Sequence, residues 1–110
     1  MRIPAPSFPD FVASLPVYAG PFHANRLAAE GCEVLFASYP AGTAIEEHFH
    51  QTDNWGVITK GELVLTMAGE VVRYGPGDWY EVRAGVPHSA RFDSETAEIE
   101  FWFEPAAGAA

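Results

Sequence analysis

The stretch GTAIEEHFHQTDNWGVITKG, residues 42–61, is where the fold of this chain can be read. His48 and His50 stand two apart, a spacing that in extended chain puts both imidazoles on one face and turns Phe49 to the other. Two neutral imidazoles on one rigid face are the start of a transition-metal site, although the pair alone also fits two partly exposed histidines in a loop. Gly42 precedes His48 by six positions, Asn54 follows it by six, and Gly61 closes the stretch seven further on.

Outward from this stretch the pattern is one of short strands. Runs rich in Val, Leu, Ile and aromatics fall at 26–29, 32–39, 45–49, 55–59, 63–67, 71–74, 79–82, 88–92 and 97–103. Gly, Pro, Asp or Asn lies between most of them, as at Lys60-Gly61, Ala68-Gly69, Pro76-Gly77-Asp78 and Ala84-Gly85-Val86-Pro87. Many short strands with turn residues between them predict an all-β sandwich or barrel, and no segment is a helix long enough to cover a parallel sheet. The last strand sets Glu98, Glu100 and Trp102 against Ile99, Phe101 and Phe103, so the apolar set is expected to face the core. Residues 1–21, with prolines at 4, 6, 9 and 16, read as an N-terminal arm lying on the barrel with a turn or two of helix around 10–15. The barrel is expected to span 22–104 and the tail 105–110 to fray, all within one domain.

A second segment, Gly77 to Phe92, carries Gly77, Gly85 and His88. Together the two segments resemble the conserved motifs of the cupin superfamily. The first is glycine, five residues, His-x-His, three or four residues, Glu, six residues, glycine; only the glutamate is replaced, by Asn54. The second is glycine, five residues, Pro-x-Gly, two residues, His, three residues, Asn; here Arg83 takes the proline's place and Phe92 the asparagine's. Fifteen residues separate Gly61 from Gly77, similar to the spacer of compact single-domain cupins, and the resemblance covers about half the chain directly.

The resemblance implies a jelly-roll β-barrel open at one end, with His48, His50 and His88 converging on one metal ion and Asn54 as the candidate fourth ligand. The chemistry of the residues agrees: three imidazoles suit a divalent Fe, Zn, Ni, Mn or Cu ion and leave positions for water and substrate. An amide oxygen at Asn54 is a neutral and weaker ligand than a carboxylate, so an ion there keeps its full charge and is held less tightly. The alternative is a metal-free barrel whose histidines bond one another and water. Asp53, Glu46 and Glu47 read as surface acids, His23 as a surface or interface residue, and Cys32 as a small core residue.

Strand alternation offers a set of pocket residues. Ile58 shares the face of Asn54 and Gly56, and Phe92 shares that of His88 and Ala90; Trp79, Tyr80 and Phe101 are further candidates, with Tyr39 and Glu81 beside them. Phe92 in place of a polar asparagine suits an apolar or aromatic portion of a substrate, and equally suits ordinary core packing.

Composition narrows the function. Fifteen acidic against six basic residues give a formal charge of −9, which opposes binding to a phosphate backbone or an anionic membrane. No apolar run approaches the roughly 20 residues that span a bilayer. No secretory signal is read in the first residues, and the single cysteine excludes an internal disulfide, so a cytoplasmic location is expected. The expected function is a metal-dependent enzyme, of dioxygenase or isomerase/decarboxylase type, acting on a small organic acid or similar metabolite. The competing class is a non-catalytic sensory cupin that binds a small molecule or metal. Trp55 and Val57, facing away from the presumed interior, together with the apolar arm, suggest a homodimer.

Overall fold

The computed structural model describes residues 7–8 and 10–104. The tail 105–110 and the first six residues of the arm lie outside these. A 3-10 helix, Asp10–Ser14, precedes nine strands: β1 His23–Ala29, β2 Cys32–Tyr39, β3 Thr43–His48, β4 Asn54–Lys60, β5 Leu63–Met67, β6 Glu70–Tyr74, β7 Trp79–Val82, β8 His88–Phe92 and β9 Thr96–Phe103. They form two antiparallel sheets, ordered β1-β2-β9-β4-β7 and β3-β8-β5-β6, in the jelly-roll arrangement expected from the strand pattern. No helix among the described residues is long and apolar enough to cross a membrane.

Each sheet presents alternate side chains to the space between the two. Leu35, Ala37, Ile58, Val82, Leu63, Leu65 and Phe92 are buried there, and strands of this composition fit a half-buried pleated surface. Between β5 and β6 the hairpin closes on Ala68 and Gly69, both with positive φ, as a two-residue turn of matching twist requires. Phe36, on the outer face of β2, is covered by the rings of Phe8 and Phe11, at centroid distances of 5.5 and 6.3 Å. Burying such a ring is worth about 1.5–3 kcal/mol. The segment after the 3-10 helix then runs beside β1, where Arg26 N–H donates to Pro16 O at 2.8 Å and Tyr18 N–H to Ala24 O at 2.8 Å.

Two expectations about these elements need correction. Cys32 is half-buried at the start of β2 rather than in the core. More consequentially, β9 has the opposite phase: Glu98 and Glu100, each 2% exposed, point into the barrel, and Ile99 and Phe101 lie on the outer face. The ladder dictates this, because Glu100 is paired with Gly56 and Leu35, and Glu98 with Ile58 and Ala37, all inward-facing positions. Outside, Phe101 is sheltered by stacking on Trp79. Both faces of β9 are therefore partly covered, and alternation alone does not reveal which is interior.

Candidate metal centre

His48 ends β3 and His88 begins β8, and the two are cross-strand partners in the β3–β8 ladder. An irregularity between Ile45 and His48 shifts the register and helps aim the His48 ring inward. His50 lies just beyond the strand, in a loop tied down by Gly85 N–H donating to His50 O at 2.8 Å. Asp53 strengthens that tie by accepting Ala84 N–H at 2.8 Å. Phe49 turns outward and is 63% exposed, as the two-residue spacing predicts.

The three imidazoles meet. Nε2 of His50 lies 3.0 Å from Nε2 of His48 and 3.2 Å from Nε2 of His88. Nδ1 of His48 is 2.8 Å from Glu46 O and Nδ1 of His88 is 2.9 Å from Val86 O. A carbonyl can only accept, so both Nδ1 atoms carry hydrogen and both Nε2 atoms present lone pairs. Those lone pairs face each other across a gap that suits a cation. Two nitrogens at about 2.05 Å from a tetrahedral ion stand about 3.3 Å apart, close to the spacings observed. Burial, then the charges of His88 and His48, lowers His50 to about 4. Burial also lowers His88, against the opposing bond to Val86 O. Both rings are thus neutral near pH 7, the form in which imidazole binds metals.

Trp102 lies flat on His50, with centroids 4.5 Å apart and planes 16° from parallel. Its Nε1–H donates to Glu100 Oε1 at 3.1 Å, which fixes the indole and with it the imidazole. Glu100 also accepts a hydrogen bond from Tyr39, and Tyr80 donates to Glu98 Oε1 at 2.8 Å. Burial, followed by the charges of these glutamates, raises both tyrosine hydroxyls far above the ordinary value, so both remain hydrogen-bond donors. Glu98 is itself pushed up, by burial first and by Glu100 second.

The histidines stand on the wall of a cavity of about 950 Å³ between the sheets. Asn54, 4% exposed, is on the same wall. Its Nδ2 donates to Trp55 O and Phe101 O, each at 3.2 Å, which leaves the amide oxygen as its atom available to the cavity. Of the residues expected to line the pocket, Tyr39, Tyr80 and Phe92 do so, Phe92 stacked on Tyr39 at 4.0 Å, whereas Glu81 is exposed outside it. Ile58 is instead packed into the core away from the cavity surface. Trp79 and Phe101 are on the outside, stacked on each other at 5.7 Å with Trp79 57% exposed. Since Tyr80 and Trp102 point in, their chain neighbours must point out. Sequence reasoning missed Trp102, Glu98 and Glu100 as cavity residues; the register of β9 on β4 was the signal needed.

The Cupin domain family profile matches residues 35–103. The HTH-type transcriptional regulator PuuR of Escherichia coli K12 is 35% identical over 67 residues, covering 60% of this chain and 35% of that protein. Quercetin 2,3-dioxygenase of Bacillus subtilis 168 is 30% identical over 76 residues, covering 68% of this chain and 23% of the enzyme. The chain thus spans about a third or less of these curated relatives. Among solved structures, an RmlC-like cupin from Shewanella frigidimarina superposes with a TM-score of 0.77 at 16% identity, over 88% of this chain and 90% of the other. The jelly roll and the profile over most of its strands agree with the two motifs around His48 and His88, and the chain belongs to the cupin family.

Proposed function

We propose that this chain is a metal-dependent enzyme acting on a small organic metabolite, with His48, His50 and His88 holding one divalent transition ion. The observation that carries the reading is the convergence of three Nε2 atoms at the wall of a large cavity, two of them fixed as lone-pair donors by backbone carbonyls. Three imidazoles leave coordination positions open, and an ion held this way supplies either Lewis-acid polarisation or redox chemistry with dioxygen. Asn54 is the candidate fourth donor through its amide oxygen.

The protein's own groups then orient and enclose the substrate. Trp102 holds His50 in place, the stacked rings of Tyr39 and Phe92 form an aromatic part of the wall, and Val82, Leu63 and Leu65 keep the inner wall apolar. Dioxygenase and isomerase/decarboxylase chemistries both suit this site; similarity to quercetin 2,3-dioxygenase supports the first. A cytoplasmic setting fits the single, unpaired cysteine. Homodimerisation fits the outer face of β4, β7 and β9, where Trp55 and Trp79 are exposed. A second reading, a non-catalytic binding module, is supported by similarity to part of a transcriptional regulator.

Elemental analysis of the purified protein, with and without His88→Ala, tests the metal site; the native chain should retain a stoichiometric ion and the variant should lose it. Oxygen uptake by ferrous-loaded protein and non-oxidative turnover by the zinc form, against carboxylic acids and phenols, separate enzyme from binder. Saturable ligand binding without turnover favours the binding module. Equal metal contents in the native and variant chains refute the site.

A further inference from the structure

The cavity's charged lining is of one sign. Glu33, Glu46, Glu98 and Glu100 reach its wall, and no lysine or arginine among the described residues does. Glu33 and Glu46 are partly or fully exposed, whereas Glu98 and Glu100 are buried side by side on β9. The ion pairs among the described residues all involve other carboxylates, so neither buried glutamate has a cationic partner. Their hydrogen bonds come from three neutral donors: Tyr80 to Glu98 Oε1, and Tyr39 and Trp102 to Glu100. Glu98 Oε2 is fully buried and receives no hydrogen bond from these donors; the one group the Glu98 carboxyl shares a proton with is the carboxyl of Glu100.

Glu100 anchors Trp102 and Tyr39, and Glu98 anchors Tyr80, but these anchoring roles do not need two adjacent buried carboxyls without a cation. Gly56, Ile58, Leu35 and Ala37 flank the two positions, and an apolar residue there would close the core without desolvating a carboxyl. An ammonium group, by contrast, supplies the positive charge the pair lacks and has three N–H donors for its free lone pairs. Aromatic rings complete its surroundings as a stacked series, Tyr18 on Phe22, Phe22 against Tyr39 and Tyr39 on Phe92, at centroid distances of 5.4, 4.8 and 4.0 Å, all lining the cavity. Such faces attract cations, and a cleft lined by one sign of charge concentrates ligands of the other.

We propose that the cavity binds a primary amine, its ammonium group seated against the Glu98–Glu100 pair and its carbon skeleton against the Tyr39 and Phe92 rings. This rests on the reading of the cavity as the ligand site and names the substrate class for it, but does not require the metal. The elevated Glu98 carboxyl agrees with it, since burial beside Glu100 with no cation nearby disfavours the charged form. Small carboxylates, expected from the sequence as substrates, are disfavoured by the same lining.

The test is calorimetric titration of the full chain with benzylamine, benzyl alcohol and benzoate, which share a ring and differ in charge. It is run on chelator-treated and on zinc-loaded protein. Benzylamine is expected to bind at least about tenfold tighter than either analogue in both forms. Glu100→Gln should remove at least about tenfold of the amine affinity and leave the alcohol within about threefold. Equal or better binding of the alcohol or the carboxylate overturns the proposal, as does no measurable amine binding at millimolar concentration. An amine preference that survives in a folded Glu100→Gln also overturns it. If that variant does not fold, the ranking of the three ligands by the native chain decides alone. The chelator-treated arm reads the carboxyl pair and metal content reads the histidines, so failure of one reading is distinguishable from failure of the other.

Discussion

Gly56→Ala should be among the most damaging single-methyl additions in this protein. Gly56 sits in β4 opposite Tyr80 of β7, and a Cβ added there would overlap the Tyr80 ring and its hydroxyl. The backbone at Gly56 is not in the left-handed region, so the effect is steric and not conformational. Tyr80 is buried and cannot swing to solvent without leaving Glu98. Overpacking typically costs about 1–3 kcal/mol. Stranding the Glu98 carboxyl adds about 1–3 kcal/mol. Together they predict a loss of about 2–6 kcal/mol, a large fraction of the roughly 5–15 kcal/mol that holds a domain folded. Urea denaturation of four chains, native, Gly56→Ala, Tyr80→Ala and the double variant, isolates the cause. With the ring gone the added methyl should cost less than about 1 kcal/mol, giving a coupling of about 1 kcal/mol or more. A Gly56→Ala chain within about 1 kcal/mol of native, or an equal penalty in the Tyr80→Ala background, would refute the steric reasoning.

Two further outcomes follow from the histidines and the outer face. His50, lowered to about 4, and His88, also lowered, are neutral when folded, whereas in the unfolded chain they protonate near 6.5. The unfolded state therefore binds more protons below that value, and the metal-free protein should lose stability as pH falls from 6.5 toward 4; His50→Gln should flatten the slope of urea midpoint against pH. Sedimentation equilibrium should return a dimer for the native chain and a monomer for Trp55→Ser/Trp79→Ser, since both indoles are exposed on the sheet proposed as the contact; a native monomer at micromolar concentration rejects that face.

The strand pattern was readable because apolar residues recur with turn residues between them, and the predicted segments differ from β2, β5, β7 and β8 by nothing and from the rest by a few residues at their ends. β1 begins earlier than its apolar run, at His23, since Ala24 is too small to signal burial in sequence although it is fully covered. The three histidines were legible because cross-strand pairing of His48 and His88 follows from the motif order. The interior of β9 was not. Charged residues are expected to face water, but Tyr39, Tyr80 and Trp102 supply donors from three different strands, and that supply exists only after the sheet has assembled. Trp79 and Phe101 misled for the same reason: their bulk suggests a lining, while their ladder positions put them back to back with Tyr80 and Glu100.

The pairing of His48 with His88 also fixes when an ion can be acquired. The histidines come from segments about forty residues apart and share no local turn, so the nascent chain offers at most the weak His48–His50 pair until β8 closes on β3. Loading of the proposed site would therefore be an event of the finished barrel. Any ion that binds there favours the native state by mass action, so heat resistance should climb with the concentration of free metal.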